Sequence, residues 1–275
     1  MTPVDSDEQD LTRKERREQA RAQRKAVEQA ELASATRRTR LRQLGIVVVI
    51  VVLAVVVILI ASGGGSSKKA VTAGTPTATK MVNEVNTRIG GIPQSGGTLG
   101  NASAPVTLHY FGDLQCPVCR EFTLGALPSI IQTWVRTGKL KIEYLSLETA
   151  THEPEVFKTQ QVAALAAGKQ AKMWNFLELF YRQQGEENSG YVTESFLQGL
   201  AAQSGVNLSQ WTSDRNDSAL AKQVVNDAEA ASNAGFNGTP SFLIGKRGGK
   251  LSRLEYSSLT DPTSFNEAIE KLAKS

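Results

Sequence analysis

The hydrophobic pattern divides the chain into four stretches of different texture. Residues 1–43 are polar and densely charged. Thr12 followed by Glu15 makes a capping-box start, and Arg13 to Leu32 is rich in helix formers. No broad apolar stripe runs along this stretch. It reads as a solvated helix, or as a surface for lipid headgroups or a partner protein. Leu44 to Ala61 is then apolar without a single polar side chain. As a helix rising about 1.5 Å per residue, it covers roughly 27 Å, close to the hydrocarbon thickness of a bilayer. Only a helix lets one isolated segment satisfy its backbone in lipid, so the Val/Ile richness does not argue for a strand here. Residues 62–104 are rich in Gly, Ser and Thr and read as a flexible tether, with Ile89, Ile92 and Leu99 as docking points on a domain edge. Globular texture begins at Pro105 and runs to residue 275.

Within 105–275 the periodicity changes repeatedly. Val106 to Phe111 predicts a strand, ended by Gly112-Asp113. A helix opens at Cys116 and runs to about Thr137, with a kink expected at Pro128 and a stop at Gly138. Leu140, Ile142 and Tyr144 alternate with polar neighbours, as a strand does. A helical block follows over about 154–235. Met173, Phe176, Leu177 and Phe180 fall at i, i+3, i+4 and i+7 within it, the pattern of a buried helix face. Thr193 caps another helix of the block, and Gly235 ends the last one. Ser241 to Ile244 is a short strand entered through Thr239-Pro240. Gly248-Gly249 turns the chain, and Leu251 to Tyr256 returns as a strand. Asp261-Pro262 starts a final helix that carries Phe265, Ile269 and Leu272. The order is β, α, β, helical block, β, β, α, an α/β class. Trp134, Trp174 and Trp211 fit packing roles.

Charge adds topology. Arg37, Arg38, Arg40 and Arg42 precede the apolar run, and only Lys68 and Lys69 follow it closely. The positive-inside rule then puts residues 1–43 in the cytoplasm and everything after Ala61 outside, on a single-pass signal-anchor in the cell membrane. A cleaved signal peptide is the competing reading. The preceding segment is too long for an ordinary n-region, and no cysteine follows as a lipoprotein signal requires. The net charge of +4 is mild, which argues against a nucleic-acid partner.

The chain has two cysteines and two histidines. Two cysteines cannot make a disulfide framework, and His109 and His152 are too few to complete a metal site without other ligands. Cys116 and Cys119 stand where a strand gives way to a helix. Cys116 lies at the positive end of the helix dipole, near unpaired N–H groups, and both favour its thiolate. Pro117 suits the first turn, where its missing N–H has no partner anyway. Cys119 at i+3 faces Cys116, so the two can close a redox-active disulfide with no further cofactor. Cys116 is then the nucleophile and Cys119 the resolving thiol. A static link and a metal site are the alternatives. His109 reads as a packed or edge residue and His152 as a surface one.

The segment Tyr110-Phe111-Gly112-Asp113-Leu114-Gln115-Cys116-Pro117-Val118-Cys119 closely resembles the active-site segment of the DsbA-like family of thioredoxin-fold proteins. Gly235-Phe236-Asn237-Gly238-Thr239-Pro240-Ser241-Phe242 resembles that family's second signature. The resemblance covers about 105–275. It implies a thioredoxin-like fold with an inserted helical subdomain, here preceded by one transmembrane helix. It also implies that Pro240 is cis and packs beside the sulfurs as part of the catalytic group. Thr239, Pro117 and Val118 would form the substrate-binding surface, with Thr239 offering its backbone to an extended substrate segment. Many members carry a buried acid six residues before the first cysteine to move the proton of the buried thiol. Here that position is Tyr110, which leaves Asp113 or water as the candidate proton relay.

The expected function is thiol–disulfide exchange with exported proteins, with a membrane redox partner recycling the pair. Oxidase, isomerase and reductase directions are all open, and Pro117-Val118 resembles the oxidising type more than the thioredoxin type. A non-catalytic thioredoxin-like protein that holds a peptide or a metal is the alternative from another class.

Overall fold

The structure, a computed structural model, describes residues 70–274. The charged segment 1–43, the apolar run 44–61 and the first part of the expected tether lie outside the described residues. Among the described residues, no helix is long and apolar enough to cross a membrane.

The first element is a helix, α1 (Pro76–Ile89). Thr75 caps it, its hydroxyl accepting from the Ala78 N–H at 3.2 Å, and proline occupies the first turn. A short hairpin follows, β1 (Gln94–Ser95) and β2 (Thr98–Leu99). The expected flexible tether is therefore corrected over 76–104. Val85, Ile89 and Leu99 are buried in the main core. Arg88 of α1 donates to Glu178 at 2.7 Å, and Glu84 receives Arg182 at 2.7 Å. Glu178 is fully buried, and burial pushes its carboxyl upward while Arg88 and then Arg182 pull it down. These partners lie some ninety residues away, so local composition carries no sign of them.

β3 (Val106–Gly112) is buried along nearly all its length, as the centre of a sheet must be. α2 (Pro117–Leu124) follows, then a single short turn, α3 (Leu127–Ile130), which passes into a π-helical segment at Ile131–Val135. The kink expected at Pro128 falls at Gly125-Ala126 instead. Proline cannot lie over the carbonyl four residues before it, so the helix breaks upstream. Gly125 takes φ −95°, ψ −91°, and the Ala126 N–H leaves the helix for the Leu259 carbonyl at 3.0 Å. A Cβ on Gly125 would sit 2.9 Å from that same oxygen.

β4 (Leu140–Ser146) precedes five helices: α4 (Pro154–Gly168), α5 (Met173–Gln183), α6 (Glu194–Ser204), α7 (Leu208–Asp214) and α8 (Ser218–Asn233). The face of α5 read from the sequence is buried at all four positions. Trp174 and Trp211 are buried with their indole N–H groups donating to Gly97 O and Ala163 O, both at 2.9 Å. β5 (Ser241–Lys246), β6 (Ser252–Arg253) and α9 (Thr263–Lys274) complete the chain. β6 is shorter than the return strand expected over Leu251–Tyr256.

The sheet runs β1-β2-β4-β3-β5-β6. β3 and β4 are parallel, and the other pairs are antiparallel. Removing α4–α8 leaves the expected βαβ and ββα units. Leu108, Tyr110, Ile142, Tyr144, Phe242 and Ile244 turn to one face and join the main core. Phe111, Leu145 and Leu147 turn to the other, where Ala231 of α8 covers them. The C-terminal end of β3, covered on both faces, leads directly into the turn that starts α2.

If α1 belongs to the domain, Ile89→Ala should destabilise it by roughly 2–4 kcal/mol, as deletion of a buried aliphatic side chain does. Urea denaturation checks this; a residue in a flexible tether would show a change near zero.

Candidate redox site

Cys116 is the N-cap of α2, with extended backbone at φ −68°, ψ 118°. Its sulfur accepts the Cys119 N–H at 3.4 Å, as a Ser or Asp oxygen does at a helix start. Cys116 is 4% exposed and Cys119 is 0% exposed. The chain thus places one sulfur at the rim and the other one turn inside. Pro117 and Val118 form the outer part of the turn, and Val118 is 41% exposed, one of few large apolar side chains open to water among the described residues.

The two thiols are driven apart. The hydrogen bond from the Cys119 side chain is the largest influence on Cys116. Burial opposes it, and Thr239 and the N–H groups of Cys119 and Val118 add to it, lowering Cys116 from 9.0 to about 6. Burial raises Cys119 well above the ordinary thiol value, and the bond and charge of Cys116 push it further. At neutral pH the pair holds one thiolate on Cys116 and one proton on Cys119.

The Thr239–Pro240 peptide is cis. It brings the Thr239 carbonyl to 3.5 Å from the Cys116 sulfur, where it accepts from the thiol. Pro240 is buried, and its own carbonyl accepts the Tyr256 hydroxyl at 3.2 Å. Tyr256 is held edge-on to Phe242 and stacked with Phe265. An open groove of about 450 Å³ runs beside this loop, lined by Phe236, Asn237, Thr239, Pro240, Arg253 and Tyr256 among others. A larger groove of about 1020 Å³, between α1 and Pro128, includes neither cysteine.

Below Cys119 lie phenols, with no carboxylate at position 110. The Tyr110 hydroxyl is 3.4 Å from the Cys119 carbonyl and 3.3 Å from both Thr123 Oγ1 and the Tyr181 hydroxyl. Tyr181 donates to the Asp113 carbonyl at 3.2 Å. Tyr144 packs edge-on to Tyr110 across the β3–β4 register. Gly112 is needed beside them, since a Cβ there would sit 2.7 Å from the Tyr144 ring. Burial pushes all three phenols upward, and the nearby Cys119 charge adds to this, so they stay neutral.

Asp113, the candidate proton relay, is held on both carboxylate oxygens by the chain itself. It is fully buried, and its two oxygens accept six hydrogen bonds: Gln115 N–H, Thr151 Oγ1 and Gln160 Nε2 on Oδ1, and the N–H groups of Thr149, Ala150 and Thr151 on Oδ2. With its lone pairs filled, it serves as the anchor of the β4–α4 loop. From the end of α5, Gln184 Nε2 donates to the carbonyls of Leu114 and Cys116 at 2.8 and 3.1 Å, clamping the redox turn to the helical block. Neither Gln184 nor Thr149, Tyr181 and Tyr256 belongs to a motif. Their places emerge only when distant elements pack. His109 pairs across the strands with Glu143 at 3.2 Å, and His152 is exposed. Among the described residues, no three His, Cys, Asp or Glu side chains converge as a ligand set.

The family model described as thioredoxin matches residues 94–269. This chain belongs to the thioredoxin family. The thioredoxin-family chain is similar to disulfide bond formation protein D of Bacillus subtilis, at 27% identity over 198 residues, 69% of this chain and 83% of the relative. It is also similar to the probable disulfide bond formation protein D of Bacillus anthracis, at 25% identity, 64% of this chain and 78% of the relative. Among solved structures, oxidised BdbD of Bacillus subtilis superposes with a TM-score of 0.56 at 22% identity, over 68% of this chain and 99% of that one. Wolbachia pipientis alpha-DsbA1 superposes with a TM-score of 0.54 at 21% identity, over 65% and 90%. These two likenesses establish the DsbA-like form of the fold. With these relatives and this form of the fold, the thioredoxin-family chain is a thiol–disulfide oxidoreductase.

Native alkylation of the dithiol protein by iodoacetamide should titrate with a midpoint near pH 6, through Cys116 alone. A folded-state value below the unfolded one stabilises the reduced protein fully above about pH 9, and this stabilisation is lost as pH falls through about 6. Urea midpoints of the dithiol form should therefore fall over that window relative to those of the disulfide form. Parallel pH profiles of the two forms would contradict it.

Proposed function

We propose that the chain is a membrane-tethered disulfide oxidase that acts outside the cytoplasm on exported proteins. The observation that carries this is the asymmetry of the pair, a surface-side Cys116 thiolate capping α2 and a fully buried, protonated Cys119. In the oxidised enzyme a substrate thiolate attacks the Cys116 sulfur. The Cys116–Cys119 bond breaks, and Cys119 leaves and takes up a proton, as its burial demands. A second substrate thiolate then attacks the substrate sulfur of the mixed disulfide. Cys116 leaves as a thiolate, a good leaving group because it is stable as one, and the substrate keeps the new disulfide. Two electrons pass from substrate to enzyme, and a membrane redox partner removes them.

Thr239 presents backbone groups for an extended substrate segment in the adjoining groove, and Pro117 and Val118 give it an apolar contact. Pro240 shields the sulfurs on that side. The apolar run 44–61 supplies the anchor, and the basic residues before it keep 1–43 in the cytoplasm. The curated relatives named for disulfide bond formation support the direction of the chemistry.

Two measurements test this. The full-length protein is equilibrated in glutathione buffers and read by thiol alkylation. A potential of about −120 to −180 mV is expected, whereas about −270 mV or lower would make it a reductase. Cys119→Ser should accumulate mixed disulfides through Cys116. A protein that shows neither reversible exchange nor trapped partners would be a binding protein instead.

A further inference from the structure

β6 ends sooner than the hydrophobic pattern predicts, and a groove opens where it stops. Leu243 pairs with Arg253, and the Leu254 N–H donates to the Phe242 carbonyl at 3.0 Å. Beyond that point the chain leaves β5, and the Tyr256 hydroxyl returns to the Pro240 carbonyl. The groove of about 450 Å³ has the Thr239–Pro240 bond in one wall and Arg253 to Tyr256 in the other. Leu254 is buried, so Arg253 and Glu255 on either side of it turn outward.

Among the described residues, Arg253 is the one cation that lines this groove. The chain holds it in place. Its guanidinium carbon lies 4.7 Å from the centre of the Phe236 ring, and Nη2 donates to the Ala234 and Gly235 carbonyls at 3.2 and 2.9 Å. Those carbonyls follow the last turn of α8, whose negative end favours a cation. Capping α8 uses a part of the side chain. A guanidinium carries five N–H donors, two of them on Nη2. The donors on Nε and Nη1 have no partner among the described residues. Glu255 lines the same groove and makes no ion pair with Arg253. An anchored guanidinium loses little side-chain entropy when it takes a further acceptor.

We propose that Arg253 is a specificity-determining residue that selects thiol substrates carrying an aspartate or glutamate close to the reacting cysteine. This rests on the disulfide-exchange reading above. An extended segment laid along Thr239 turns every second side chain toward one wall of the groove. A carboxylate in that place meets the open donors of Arg253 and gains a charge-assisted hydrogen bond. The contact is remote from the sulfurs, so it holds the bound substrate and the transition state alike. It lowers KM and leaves kcat as it is.

The test uses the full-length oxidised protein and a set of dithiol peptides of one parent sequence. Asp, Asn or Lys is placed in turn at each of about four positions on either side of the first cysteine, the reach of an extended segment along the groove. Peptide oxidation is followed by alkylation of the remaining thiols. In the wild type, Asp at one or more positions should give a KM roughly three- to tenfold below that of the matching Asn peptide, with Lys above Asn, the scale of one charged contact at a half-open site. About 1 M salt should erase most of the difference, because it shortens the screening length to about 3 Å. In Arg253→Gln the Asp and Asn peptides should become equal, and in Arg253→Glu the Lys peptide should become the preferred one. If these variants do not fold for want of the α8 cap, Arg253→Lys keeps a charge without the flat stack on Phe236, and its preference should be weaker than that of the wild type. Equal KM values for Asp and Asn at every position, or a preference that survives undiminished in these variants, would overturn the proposal and leave the functional reading intact. A wild type that oxidises none of the peptides would remove both.

Discussion

A buried carboxylate costs several kcal/mol unless hydrogen bonds replace the water it loses. Asp113 meets that demand with six donors drawn from its own turn, from the β4–α4 loop and from α4. The requirement is mutual, because the loop N–H groups would otherwise be orphaned in the interior. One side chain thus joins the end of β3, the loop beyond β4 and the first helix of the helical block at the point where α2 must start. Cys116 caps that helix from a turn that is itself held by hydrogen bonds to Asp113.

From this junction the two cysteines inherit opposite environments. Cys116 receives N–H groups and the helix end, while Cys119 lies one turn deeper among phenol rings. Residues of one type, three apart, are pushed in opposite directions by position alone. Tyr110 stands where many DsbA-like proteins place an acid. It contributes a hydroxyl network with Thr123 and Tyr181 and adds no charge, so no ionised neighbour at that position competes with the Cys116 thiolate.

The boundary of the domain shows how far periodicity carries. Residues 76–104 have the composition of a tether, because α1 buries only Ala78, Val85 and Ile89. Its place is secured by Arg88 on Glu178 and by Glu84 on Arg182, pairs that a linear reading cannot match up. The helix break follows the same logic. Pro128 announces that a helix cannot continue through it, but the break at Gly125 is chosen by the Leu259 carbonyl, which takes the Ala126 N–H.

Local constraints in the sequence were enough for the order of strands and helices from residue 105 on, the buried face of α5, the cap at Thr193 and the helix start at Cys116. Each depends on residues within a turn or a strand repeat of one another, where spacing dictates geometry. The resemblance of two short segments placed Thr239-Pro240 beside the pair. Only the tertiary structure decided what surrounds the sulfurs: Asp113 as an anchor, Gln184 as a clamp, Tyr256 under Pro240 and the Thr149 hydroxyl on that of Thr239. Those contacts join residues tens of positions apart, and their partners are set by packing and by the need to satisfy every buried polar group, conditions that exist only once the chain has folded.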